Sequence, residues 1–321
     1  MSRLFRLPPA LRPIAVLFPL LLLTCTPALH LPAQLGPLNG RRTVSARDFA
    51  GIQDALDSLP DEGGTVVVPA GVYTLAKKLK LASHVELRGE GMQETVLVLA
   101  DGANDHLISN SSLIKGNTDI TIRDIGLRGN SAHQSDWSFG VRLTNVTDSL
   151  VLNVESDDFW TDGFYLGYNA FNGARNIRVS GCRAANNRRY GLAIKHGTGV
   201  LVDGCTFEAN GFADEGAAVK LGPDQERQAI GNRIIGNRAV GNYSGFVLFE
   251  ALGYGSRVAD NVLCNNDAEG NATVGFQDFR GEGNLFFDNV AQGNGQDFDF
   301  APTTRTEPGP AEACTVPPLP T

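Results

Sequence analysis

The sequence predicts an all-β chain wound as one single-stranded, right-handed parallel β-helix. Three observations carry this: where the prolines fall, a glycine-marked repeat of variable length, and asparagine recurring after each strand. Of 16 prolines, seven lie in residues 1–37, two are Pro60 and Pro69, and six lie in residues 302–320. Between residues 70 and 301 only Pro223 remains. Proline has no N–H for a ladder and is excluded from strands paired on both sides. The 232 residues between the proline-rich ends therefore read as strand-rich structure.

The repeat unit is a strand, a polar turn, then glycine followed by an apolar strand. The marking glycines are Gly140, Gly163, Gly191, Gly216, Gly245 and Gly275, spaced 23, 28, 25, 29 and 30 residues apart. A variable period with constant register describes a coil whose loops differ in length. Asparagine follows the preceding strands at Asn130, Asn187, Asn210, Asn242, Asn266 and Asn294. Stacked asparagines bond along a stack, and asparagine tolerates the left-handed backbone of tight turns.

Taken in chain order, residues 1–28 hold Arg3, Arg6 and Arg12, an apolar run from Ile14 to Leu23, then Thr26-Pro27-Ala28. That order predicts a secretory signal, with the mature chain secreted or in the periplasm or cell envelope. The apolar run is too short to span a bilayer, and a lipid on Cys25 is the rival reading. Residues 29–44 read as a linker. Residues 45–59 predict one amphipathic helix, with Ser45 and Asp48 as a capping box and Phe49, Ile52, Leu56 and Leu59 on one face. Such a helix would close the first open end of the coil. The β-helix is expected over residues 45–300, followed by a loosely ordered proline-rich tail, 301–321. Export permits disulfides. Cys264–Cys314 would strap the tail, whereas Cys182 and Cys205 occupy like positions in adjacent coils and read as small buried residues, with a disulfide between them as the alternative.

The net charge is −8, and loss of residues 1–28, with three arginines and no acid, takes it to −11. Such a body repels nucleic acid and anionic lipid in general. A polyanionic partner needs a local basic patch. Aligning coils on the repeated glycine turns Val141, Leu143, Phe164, Leu166, Leu192 and Ile194 inward, and every second residue outward. One outward column is then Arg142, Tyr165, Ala193, Ala218, Val247 and Gln277. The other is Thr144, Gly167, Lys195, Lys220, Phe249 and Phe279. Small residues line the middle and larger ones the rim, the profile of a shallow groove for a polysaccharide. In this register Lys195 and Lys220 sit one coil apart.

His196 adjoins Lys195, with Arg188 and Arg189 just upstream. Abstraction of the C-5 proton of a uronic acid needs a base beside a cation that holds the carboxylate. This assigns Lys195 as base, with Lys220 or Arg142 as clamp, Tyr165 as acid and His196 nearby. Arg188, Arg189 and Phe249 join the binding rim. Asp157, Asp158 and Asp162 cluster with Trp160 and Tyr168, and would serve either hydrolysis or a calcium ion. Trp160 and Trp137 are candidates to stack on sugar rings. His106 and His133 have no evident partner and read as structural or surface residues. No cofactor is called for.

The Ala50–Leu59 segment, "GGTVVVPAGVYTL" and "HVELRGEGM" together resemble the opening of the pectate-lyase-like superfamily, which includes exported polysaccharide lyases and mannuronan C-5 epimerases. The resemblance implies the fold over roughly residues 45–300. "YGLAIKHG" at 190–197 is similar to an epimerase segment in which an Asp-Pro-His triplet follows tyrosine-glycine. Here Ala193-Ile194-Lys195 stands in its place, and lysine as base is similar to alginate and chondroitin lyases of this fold. "TDGFYL" at 161–166 is similar to the Asn-Thr-Asp segment of polygalacturonases, whose following Asp-Asp pair would fall on Tyr190-Gly191 and is missing. The expected function is lysis or epimerisation of an anionic, uronic-acid polysaccharide. The alternatives are a polygalacturonase-like hydrolase using Asp162, or a non-catalytic glycan-binding or envelope scaffold protein.

Overall fold

The computed structural model describes residues 41–167, 173–212, 215–222, 227–251, 255–307, 309 and 311–319. The residues of the expected signal peptide, and Tyr168, lie outside them. The chain coils through stacked parallel strands, and each coil after the first few has four sides. Three sides are short strands joined through tight corners, such as Gln228–Ile230, Arg233–Ile235 and Arg238–Val240. The fourth is a longer strand in a nine-stranded parallel sheet. That sheet runs Leu79–Leu81, Ile108–Asn110, Phe139–Leu143, Asp162–Leu166, Tyr190–Ile194, Ala217–Leu221, Phe246–Phe249, Val274–Phe279 and Gln296–Phe300.

The corners follow from a local rule. Most pair a residue in the left-handed region with an asparagine whose side chain turns inward. In one coil Gly231, Gly236 and Gly241 hold φ of +64°, +64° and +61°, and Asn232, Asn237 and Asn242 follow them. A residue with a Cβ pays a steric penalty there, so glycine, asparagine and aspartate recur. Three ladders of buried amides result. In the longest, Asn187, Asn210, Asn242, Asn271 and Asn294 each donate Nδ2 to the side-chain oxygen of the next, at 2.8–3.0 Å, and Asp297 accepts the last bond. Each Nδ2 also bonds a backbone carbonyl of the preceding coil, as Asn242 does to Phe207 at 3.1 Å. Asn266 belongs to a different ladder, Asn237–Asn266–Asn289. Asn130 belongs to none: it bonds Leu99 and Asp101.

The second ladder begins in sulfur. The Cys205 amide donates to Asn237 Oδ1 at 2.9 Å, and the Cys182 amide donates to Cys205 Sγ at 3.3 Å. Both thiols are free and buried, as expected of small residues in a column. Inside the coil the nine-stranded sheet contributes Val141, Leu143, Phe164, Leu166, Leu192, Ile194, Val219, Leu221, Phe246 and Leu248, all fully buried. Phe246, Phe276 and Phe298 stack in successive coils.

Three boundaries differ from expectation. The helix over residues 45–59 is shorter and split: a 3-10 turn at Ala46–Asp48, then an α-helix at Ile52–Asp57 starting after Gly51. Ser45 accepts from the Arg47 amide at 3.3 Å, so it caps the turn and not a continuous helix. Residues Arg42–Ser45 are not linker; they form a strand paired with Gly64–Val67, extending the first edge. The tail is an ordered strap. Cys314 is bonded to Cys264, Arg233 donates to the Ala313 carbonyl at 2.9 Å, and Arg178 donates to the Pro317 carbonyl at 2.8 Å. The strap runs back over coils it has already left and covers an outer apolar stripe of Leu201, Ile235, Cys264, Leu285 and Phe287.

Candidate functional site on the outer face of the nine-stranded sheet

The pairing register corrects the columns at one coil. Ala193 pairs with Lys220, and Ile194 with Leu221. Lys195 therefore lies level with Gly222, whose amide bonds the Ile194 carbonyl at 3.2 Å. The expected Lys195–Lys220 column does not form. Lys220 stands in the column of Arg142, Tyr165, Ala193, Val247 and Gln277, where Ala218 was expected. The cause is Gly216, which does not mark the repeat position. It is glycine because a Cβ there would lie 2.2 Å from Gly211 Cα. Both lysines remain on the outer face, offset by two residues along the strand.

Lys195 is 6% exposed, and its ammonium lies 5.3 Å from the Tyr190 ring centroid. Tyr165 is 3% exposed, its ring 4.6 Å from that of Phe139. Phe139, Tyr165, Tyr190, Ala193, Ala217, Val247 and Val274 form an apolar layer outside the main core. His196 packs its imidazole against Gly173.

Asp162 is fully buried and held by a bidentate fork: Arg189 Nε and Nη2 donate at 2.9 and 2.8 Å, and the Tyr190 amide adds a bond at 3.1 Å. Burial pushes its carboxyl above the ordinary carboxylate value, against the pull of Arg189 and Lys195. Against its own desolvation, Arg189 is pushed further up by its bonds to Asp162. The Tyr190 hydroxyl donates to Glu215 at 2.7 Å, and burial with that bond drives its pKa up. The guanidinium of Arg189 also lies 4.8 Å from the ring centroids of Trp137 and Tyr190. The three acids expected to cluster are apart in function. Asp157 accepts from Asn186, Asp158 bonds Ser131 and Asp162 belongs to Arg189. Among the described residues no group of three His, Cys, Asp or Glu converges on a metal position.

Two rim residues are engaged. Arg188 stacks on Trp160 at 3.7 Å from the ring centroid. Phe249 is sandwiched between Phe279, with rings parallel at 5.0 Å, and the Lys220 ammonium at 4.3 Å. Trp137 is 56% exposed.

His106 is a site residue the sequence reading passed over. Arg142 Nη1 donates to its Nε2 at 3.0 Å, and its ring lies 4.7 Å from Phe139. A guanidinium only donates, so Nε2 accepts and the neutral ring carries its proton on Nδ1. That Nδ1 is buried without a partner among the described residues, as is Arg142 Nε. Burial, then the charge of Arg142, lowers the His106 pKa to about 4. The signal was register: Ile108 pairs with Val141, which sets His106 beside Phe139.

A family model described as a right handed beta helix region matches residues 85–224. The pre-neck appendage protein of Bacillus phage phi29 is 24% identical over 193 residues, 51% of this chain. The match spans only 23% of that relative's length. Among solved structures, bacteriophage phi29 gene product 12 superposes with TM-score 0.63 at 15% identity, over 77% of this chain and 34% of that one. The tailspike gp49 of Acinetobacter baumannii bacteriophage Fri1, a capsular polysaccharide depolymerase, superposes with TM-score 0.53 at 13% identity, over 79% of this chain and 54% of that one. At these identities the structural likeness is one of fold: this chain is a right-handed parallel β-helix.

Proposed function

We propose that this β-helix is exported and binds a uronic-acid polysaccharide along the outer face of the nine-stranded sheet, acting on it by abstraction of the C-5 proton, as a lyase or epimerase. One observation carries the reading: Arg142, Lys195 and Lys220 share that face, while Asp162, an acid in reach of Lys195, is locked inside the fork of Arg189. Hydrolysis needs two carboxyl groups flanking the scissile bond. Proton abstraction beside a carboxylate needs a base and a cation. Lys195 is the proposed base, Arg142 the carboxylate clamp and Tyr165 the acid. Lys220, displaced from Lys195 by the register, is proposed to bind a neighbouring sugar. In elimination the C-5 proton goes to Lys195, the C-4–O-4 bond breaks, and the leaving oxygen takes the Tyr165 proton. In epimerisation a proton returns to C-5 on the other face.

The test is a panel of uronic-acid polymers with purified protein, wild type against Lys195→Ala. Lysis yields an unsaturated, ultraviolet-absorbing product, and epimerisation a changed uronate composition, both lost in Lys195→Ala. Turnover that survives the substitution removes Lys195 as base. The likeness to a phage appendage protein favours a second reading, a glycan receptor without turnover. Wild-type protein that retards on a polysaccharide gel and converts nothing would establish it.

A further inference from the structure

The outward column containing Arg142 and Lys220 begins earlier than the sequence reading placed it. Lys80 pairs with Ser109, Ser109 with Arg142, Arg142 with Tyr165, Tyr165 with Ala193, and Ala193 with Lys220. The same column continues through Val247 and Gln277 to Asp299. Coils stack about 4.8 Å apart, so Lys80 lies about 10 Å before Arg142, and Lys220 about 14 Å after it. Cations occupy the first, third and sixth rungs; an acid, bonded by Gln277 at 2.8 Å, occupies the ninth. The face is therefore polar along the coil axis, positive toward the capping helix and negative at the last coil.

At its positive end the column opens into a cavity of about 1110 Å³ between the helix Ile52–Asp57 and the first coils, lined by Leu56, Leu79, Val85, Lys77, Lys78 and Lys80 among others. Lys78 is neutralised by Asp105 at 2.6 Å. Asp57 and Asp61 line the cavity too, and Asp57 accepts a bond from Gln53 at 2.8 Å. Among the described residues no carboxylate lies within ion-pair distance of Lys77 or Lys80. The apolar lining suits the faces of sugar rings, and the two ammonium groups suit their carboxylates.

We propose that this cavity is a terminal subsite for the anionic polysaccharide, so that the bound chain runs along the coil axis from Lys220 past Arg142 and ends at Lys80 and Lys77, avoiding the acidic last coil. The inference rests on the proposed uronic-acid ligand. A ligand reaching from Arg142 into the cavity must be longer than one seated on Arg142 alone. Length dependence therefore reads out the subsite separately from the reaction.

The experiment is calorimetric titration of the protein with uronic-acid dimers and hexamers at low salt, comparing wild type with Lys80→Glu, Lys80→Gln and Asp299→Lys. Lys80→Glu should weaken the hexamer about tenfold and leave the dimer within about twofold; Lys80→Gln should do the same more mildly, and 0.5 M salt should shrink the difference. Asp299→Lys should leave both ligands unchanged. Equal effects on dimer and hexamer, or no effect of Lys80→Glu on the hexamer, would overturn the subsite while leaving the function standing. A tenfold gain in Asp299→Lys would reverse the direction of the chain. Failure of the wild type to bind any uronic-acid oligomer would remove the functional reading and the subsite with it.

Discussion

Two regions of one coil handle polar groups in opposite ways. At the corners between three-residue strands, the polar groups are buried, neutral amides that repeat. On the outer face of the nine-stranded sheet they are charged and do not repeat. The reason is the coil spacing. An amide that is both donor and acceptor satisfies its copy one coil away, so asparagine improves with repetition. Like charges about 4.8 Å apart repel by about 3 kcal/mol at an effective dielectric near 20. Asp162 accordingly stands beside an opposite neighbour, Arg189. The places where repetition breaks are where a site can form.

Four measurements would break or sharpen that contrast. Arg189→Ala should have the largest effect, destabilising by about 3–5 kcal/mol in chemical denaturation, because it strands a buried carboxylate. Replacing both Arg189 and Asp162 by leucine should recover most of the loss; no recovery would mean that the pair does more than cancel itself.

Lowering the pH comes next. His106 is held neutral in the fold with a pKa of about 4, below the ordinary 6.5 of an unfolded chain. Its stabilising contribution is complete above about pH 6.5, declines as pH falls through that window, and is lost below about pH 4. The full span is about 3 kcal/mol. His106→Leu should flatten that limb of the stability profile, and an unchanged slope would locate the acid sensitivity elsewhere.

Asn242→Ala, in the middle of a ladder, should cost about 2–3 kcal/mol by leaving neighbours above and below unpaired. Asn294→Ala, at the end of that ladder, should cost roughly half as much. Equal losses would show that ladder position does not matter. The smallest effect belongs to Cys205→Ser, about 1 kcal/mol or less, since Cys205 Sγ accepts only the Cys182 amide in its ladder.

Much of the architecture was legible in the sequence because it is local. Proline exclusion, glycine spacing and asparagine recurrence each reflect a demand on one residue's backbone or one side chain. The Cys264–Cys314 strap followed from having one cysteine in a tail and one nearby in the coils. A finer signal went unread: Gly-Asn-Arg-Ile-Ile-Gly-Asn-Arg-Ala-Val-Gly-Asn over 231–242 is a five-residue period, three strand residues and a two-residue corner, which separates the three ladders. The split of the expected helix at Gly51 was also visible, since glycine is the weakest helix former after proline.

The site was less legible because a column depends on register, and a glycine can serve more than one demand. Gly216 matched the repeat by type but is required by its approach to Gly211, which moved Lys220 by two residues. His106 had no partner within reach in sequence; its partner Arg142 is 36 residues away and meets it only because two coils stack. The sequence by itself determined the winding, the inward face and the corner residues, since each is a property of a few consecutive residues. Only the tertiary structure decided which charges meet, because loop lengths that the winding tolerates set how one coil lies on the next.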